Sequence, residues 1–176
     1  MTLARDQLIT RIKETAILTG EFALRSGRTS SWYIDKYLFS TCPDILEALG
    51  PLFAREIPEG TTRLAGAELG GIPLVTVASI SADLPCIFIR NQKKGYGTAK
   101  QLEGRIEEGD RVVIIEDIAT TGGQVLEAAT LLESKGATIV LILATIDRQE
   151  GARENIEAAG YRFKSLLCSE DLGMSP

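Results

Sequence analysis

The chain has 176 residues, 44% of them hydrophobic and 24% charged, with a formal net charge of -5 and no histidine. That length suits one domain, 1–176, with a sizeable core; no apolar run is long enough to span a membrane, and an acidic balance without a basic tail argues against a nucleic-acid partner. Three widely separated cysteines, Cys42, Cys86 and Cys168, support neither a disulfide framework nor a zinc site and fit a reducing cytoplasm, while the lack of histidine removes every histidine-based mechanism.

The first twenty residues, MTLARDQLITRIKETAILTG, mix both charge signs among hydrophobics, unlike a secretory signal. Leu8, Ile9, Ile12 and Ala16 recur at helical spacing and predict a helix over 5–18. From Glu21 to Tyr37, EFALRSGRTSSWYIDKY alternates polar and apolar residues around Ser26-Gly27, as in a hairpin or an irregular cover segment. Its Arg25, Arg28, Trp32 and Tyr33 are groups that grip a flat anion. Pro43 to Glu56 predicts a helix that starts near Pro43 and is kinked or divided at Pro51.

Arg63 to Gly66 predicts a short strand, and Glu68 to Pro73 (ELGGIP) places glycines at the start of a helix running to about Ser81. Pro85 to Arg90 (PCIFIR) reads as a buried strand. Asn91 to Glu103 (NQKKGYGTAKQLE) has no apolar periodicity and predicts a long mobile loop, a kind that is usually functional inside a compact domain. Its Gly95-Tyr96-Gly97 is not a dinucleotide fingerprint, because Lys100 stands where the third glycine belongs and no helix follows.

The most informative stretch is Val112 to Gln124, VVIIEDIATTGGQ. Val112 to Ile115 predicts a strand buried on both faces that stops at Glu116 and Asp117, and Gln124 onward predicts an amphipathic helix with Val125, Ala128, Ala129 and Leu132 on one face. Farther on, Thr138 to Ile146 (TIVLILATI) is the expected central strand, ended by Asp147, Arg148 and Gln149; Ala152 to Ala159 is a short helix and Tyr161 to Leu167 a last strand near an edge. Strands alternating with helices predict an α/β fold with a doubly wound, mainly parallel sheet over 60–167 and a small N-terminal helix and hood over 1–40.

Between the acids and the helix, Thr120, Thr121, Gly122 and Gly123 put hydroxyls and bare amides at a helix N-terminus, which carries unpaired N–H groups and a partial positive charge and so suits a phosphate. The acids cannot bind that phosphate, but they suit a sugar diol or a hydrated cation such as Mg²⁺. A ribose phosphate is the implied ligand. No lysine follows the glycines, so a P-loop nucleotide site is not expected. Taken one at a time these residues also fit an ordinary strand, turn and N-capped helix.

Taken together, they resemble the thirteen-residue signature of the type I phosphoribosyltransferases. The resemblance widens to the orotate phosphoribosyltransferase family through LTGEFALRSGRTSSWYIDK, AGAELGGIPL, IRNQKKGYGTAKQLEG, EDIATTGG and IDRQEG. It implies transfer of a phosphoribosyl group from 5-phosphoribosyl 1-diphosphate (PRPP) to orotate, giving orotidine 5'-monophosphate and pyrophosphate in pyrimidine synthesis. It also implies that Ile118, Ala119, Thr120, Thr121, Gly122, Gly123 and Gln124 wrap the 5'-phosphate. Glu116 and Asp117 would hold the ribose hydroxyls and, through water, Mg²⁺ on the pyrophosphate.

By the same resemblance Arg90, Lys93, Lys94 and Lys100, with Tyr96, would meet the pyrophosphate, Arg90, Lys94 and Asp117 being the catalytic groups. The 91–103 loop would act on the partner's site in a homodimer. Arg148 would pair with the carboxylate of orotate, Thr120 would bond its ring, and Arg25, Trp32 and Tyr33 would close over it. The chain departs from many relatives in having Asn91 where a second base follows the loop arginine, Tyr96 where histidine is common, and Leu69-Gly70 where some carry Tyr-Lys. A purine phosphoribosyltransferase and a PRPP-sensing regulator are the alternatives.

Overall fold

The protein is described here from a computed structural model over residues 3–23, 29–91 and 101–174. A helix α1 (Arg5–Ala16) buries Leu8, Ile12 and Ala16 and runs directly into β1 (Ile17–Ala23), which pairs antiparallel with β2 (Thr29–Ile34). The cover segment is thus a hairpin, although Arg25 and Arg28 fall outside the described residues. A short helix α2 (Lys36–Ser40), absent from the sequence reading, follows at once and is capped by Asp35, whose carboxylate accepts from the Tyr37 amide at 3.0 Å.

The next helix, α3 (Pro43–Glu56), starts at Pro43 as expected and is not divided at Pro51. Proline costs the helix one backbone hydrogen bond, but the buried face formed by Ile45, Ala48, Leu49 and Phe53 keeps both halves on the same core. After it come β3 (Arg63–Ala67), α4 (Gly71–Ala82), β4 (Cys86–Ile89), β5 (Leu102–Glu103), β6 (Arg111–Ala119), α5 (Gly123–Glu133), β7 (Thr138–Asp147), α6 (Ala152–Ala158) and β8 (Phe163–Cys168).

The strands form a six-stranded sheet in the order β5-β4-β3-β6-β7-β8, parallel except for the two-residue β5 on one edge. Part of the stretch expected as a loop is therefore strand at Leu102–Glu103, whereas 92–100 lie outside the described residues. The middle of the sheet is shared by β3 and β6, and β7, expected there, sits one place out with neighbours on both sides.

Each wholly apolar strand serves two cores, because successive side chains leave the sheet on opposite faces. Val113 and Ile115 pack with Leu141, Leu143 and α1, α3 and α4, while Val112 and Ile114 pack with Ile142 and the apolar faces of α5 and α6. Gly66 lets α4 lie directly on β3: a Cβ there would come 2.6 Å from the Gly71 carbonyl oxygen and 2.7 Å from Val75 Cγ1.

The strand carrying the acids also runs farther than expected. Backbone pairing is indifferent to side-chain polarity, so β6 continues through Glu116 and Asp117 to Ala119, held by the long β7 in the register Glu116↔Ala144, Ile118↔Ile146 and Ala119↔Asp147. Its pairing with β3, however, ends at Gly66↔Ile115. The acids therefore lie where β6 has lost one neighbour, at the carboxyl end of a doubly wound sheet, which is where such sheets hold ligands.

Candidate active site

Asp117 is only 2% exposed, and both of its carboxylate oxygens are engaged. Oδ1 accepts from the Ile118 amide at 2.6 Å, and Oδ2 lies 2.9 Å from Lys36 Nζ at the first position of α2. Burial opposes the Lys36 ammonium, but the Asp117 carboxylate outweighs it and raises the lysine pKa above its ordinary value. Gly70 makes room for this pair, since a Cβ on residue 70 would collide with Asp117 Oδ2 and reach Lys36 Cδ. Gly70→Ala should therefore push the carboxylate aside and raise the KM for PRPP on the order of tenfold; steady-state kinetics with an unchanged PRPP KM would show that this contact is immaterial.

Next to it, the Glu116 carboxyl is pushed up to about 8, first by burial and then by the charge of, and hydrogen bond with, Asp117. Between its ordinary value of 4.5 and about 8, the unfolded chain has released a proton that the folded chain keeps. Stability from this group is therefore full at low pH and is lost as pH rises through that window. Replacing the carboxyl by an amide (Glu116→Gln) should flatten the decline: melting curves from about pH 5 to about pH 8 should show the wild type falling relative to the variant. Parallel curves would contradict the raised pKa.

Beyond Ala119 the chain turns into α5 through Thr120, Thr121 and Gly122. Gly122 has φ +78°, and a Cβ on it would come 3.0 Å from Ile156 Cγ1, so glycine satisfies both the turn and the packing. The turn is anchored from α6, where Asn155 Nδ2 donates to the Thr121 carbonyl at 2.9 Å. No side chain caps α5. Thr121, Gly123 and Gln124 are exposed, so the first turn of the helix presents its amides outward, with Thr120 half-buried beside them.

Because β6 and β7 end in register, Arg148 comes beside this turn: its amide donates to the Ala119 carbonyl at 2.9 Å. The guanidinium is largely buried, lies 4.8 Å from the centre of the Trp32 ring, and reaches Glu150 Oε1 through Nη2 at 2.8 Å. Its buried Nε has no hydrogen-bond partner among the described residues. The hood hairpin is thus stacked on the arginine through Trp32. Tyr33, one residue on and so on the other face of β2, lies instead against Phe22 with ring centres 5.6 Å apart.

Arg90 follows β4, its amide bonded to the Gln101 carbonyl at 2.8 Å and its buried Nε without a hydrogen bond among the described residues. Asn91, which looked in the sequence like a missing base, is a bridge. Its amide donates to Glu68 Oε1 at 2.7 Å and its Oδ1 accepts from Gln124 Nε2 at 2.9 Å, joining the turn before α4 to the first turn of α5. Lys93, Lys94, Tyr96 and Lys100 lie outside the described residues. Sequence reasoning missed Lys36, Glu68 and Glu150; only Lys36 left a trace, as a cation next to the Trp32-Tyr33 segment.

Residues 51–165 match the model of the phosphoribosyl transferase domain. Along 170 residues the chain is 43% identical to the orotate phosphoribosyltransferase of Halobacterium salinarum, covering 96% of this chain and 97% of that one. This chain belongs to the orotate phosphoribosyltransferase family. In three dimensions this orotate phosphoribosyltransferase family member superposes on the Mycobacterium tuberculosis orotate phosphoribosyltransferase with a TM-score of 0.87 at 28% identity, covering 97% and 99% of the two chains. A structure of that enzyme in complex with PRPP matches with a TM-score of 0.82 at 27% identity, covering 97% and 99%.

Proposed function

We propose that the protein transfers the 5-phosphoribosyl group of PRPP to orotate, giving orotidine 5'-monophosphate and pyrophosphate for pyrimidine synthesis. The observation that carries this reading is the backbone contact between Arg148 and Ala119, which brings this arginine beside a turn suited to a sugar phosphate. Curated relatives at about this similarity are named for the same reaction. The test is direct: purified protein with orotate, PRPP and Mg²⁺ should form orotidylate, and failure to do so while a purine base is accepted would reject the assignment.

In this reading the outward amides of residues 121–124 hold the 5'-phosphate, and Glu116 and Asp117 accept from the vicinal hydroxyls of the ribose. Arg148 pairs with the carboxylate of orotate, with Trp32 stacked behind it and Thr120 near the ring. As the bond at C1' breaks, negative charge gathers on the departing pyrophosphate and must be met by fixed cations. Arg90 is the described candidate, and Lys93, Lys94 and Lys100, with Tyr96, complete the set that the family pattern suggests, as Arg25 and Tyr33 do for the base.

The adjacent carboxyl groups of Glu116 and Asp117, hard oxygen donors at the carboxyl end of the sheet, fit Mg²⁺. The ion would be brought by PRPP and held through water near Glu116 and Asp117. Bound there, the ion would neutralise charge on the pyrophosphate.

We further infer a homodimer and a cytoplasmic setting. Supporting the first, α4 leaves Ile80 76% exposed, with Leu69 61% exposed just before it. Sedimentation should give about twice 19.0 kDa; the mass of one chain would contradict it. Supporting the second, Cys42, Cys86 and Cys168 are all unpaired. No helix among the described residues is long and apolar enough to cross a membrane.

A further inference from the structure

One cation in the site has no part in the chemistry above. Lys36 reaches Asp117 from the hood, not from the sheet, and the fold accommodates it at three points: Asp35 caps α2 so that Lys36 opens the helix, Gly70 leaves the space that a side chain would fill, and Asp117 turns its Oδ2 toward the ammonium. Since Asp117 Oδ1 is taken by the Ile118 amide, Oδ2 is the oxygen left for an external ligand, and Lys36 sits on it.

We propose that Lys36 is a resident counter-cation: in the free protein its ammonium neutralises Asp117 and keeps a divalent metal from settling on the acid pair before PRPP arrives. This rests on the acid pair being the ribose and metal-facing part of the site, as proposed above. Without that ammonium, the Asp117 carboxylate, at a partly unpaired strand end beside the Glu116 carboxyl, would attract a hydrated divalent ion in the absence of substrate. With Lys36 on Oδ2, such an ion gains little until a phosphorylated substrate brings further negative charge. The lysine side chain is 31% exposed on a flexible four-carbon stem, so it can leave Oδ2 for a substrate oxygen without moving the hairpin. Lys36 is in this sense a positioning residue.

The test uses the full chain without PRPP and follows Mn²⁺ binding by the loss of the free-ion EPR signal. Lys36→Met and Lys36→Gln should each bind Mn²⁺ about tenfold more tightly than wild type, whereas Lys36→Arg should bind like wild type. Adding Asp117→Asn to Lys36→Met should abolish the gain, locating it at the acid pair. A lysine that only braced the hood would lower the melting temperature of the neutral variants and leave Mn²⁺ affinity unchanged. Equal Mn²⁺ affinity in wild type and both neutral variants overturns the proposal even if orotidylate is formed. Absence of orotidylate with the wild type would instead count against the reaction, and the Mn²⁺ comparison would still decide the role of Lys36.

Discussion

Asp117→Asn should lower kcat/KM for PRPP by about 10³, the upper end of what one buried electrostatic contact contributes to a transition state. The amide has the carboxylate's shape but neither its charge nor its second acceptor. Its NH2, a donor, must face either the Ile118 N–H or the Lys36 ammonium, both donors, where Asp117 now accepts at 2.6 Å and 2.9 Å. The ribose hydroxyls then lose their acceptor and Lys36 its counter-charge. Far-ultraviolet circular dichroism should be unchanged, because β6 is held on β7 through its backbone as far as Ala119. A variant with wild-type kinetics would remove Asp117 from the chemistry.

The second large effect is expected at Arg148. Truncating one partner of a buried, hydrogen-bonded charge pair costs roughly 3 kcal/mol, so Arg148→Ala should raise the KM for orotate about 100-fold while leaving that for PRPP nearly unchanged. The substitution also leaves Glu150 without its 2.8 Å partner and Trp32 without the cation against its face, so Arg148→Lys is the informative companion. An ammonium keeps the charge but not the planar fork, and it should recover only part of the loss. If Arg148→Ala left orotate turnover intact, the base would not be read by this arginine, as a purine reaction would require.

Much of this arrangement was legible in the sequence because its signals are local. Four apolar residues followed by two acids, two threonines and two glycines can be read without knowing what lies across the sheet, and the parallel fold follows from strands alternating with helices. What escaped was set by partners distant in the chain. The acids looked like the end of β6, but the strand continues because β7 offers a ladder as far as Ala119↔Asp147. Pro51 looked like a break, yet packing of α3 against the core holds the helix together.

The residues that the sequence undervalued share the same cause. Asn91 read as a lost base because its value lies in contacts with Glu68 and Gln124, both more than twenty residues away. Lys36 was missed because Asp117 is on another element altogether, and α2, five residues long, is too short to announce itself by periodicity. Glu150 stands two residues from Arg148, and neither composition nor periodicity announces that the two form an ion pair at 2.8 Å.

A crystal of the protein grown with PRPP and Mg²⁺ puts the whole account to its most direct trial. The ribose 5-phosphate should lie within about 3 Å of the amides of residues 121–124, with the two ring hydroxyls on Glu116 and Asp117. A sugar phosphate bound elsewhere, or an acid pair still closed on Lys36 with PRPP in the crystal, would contradict it.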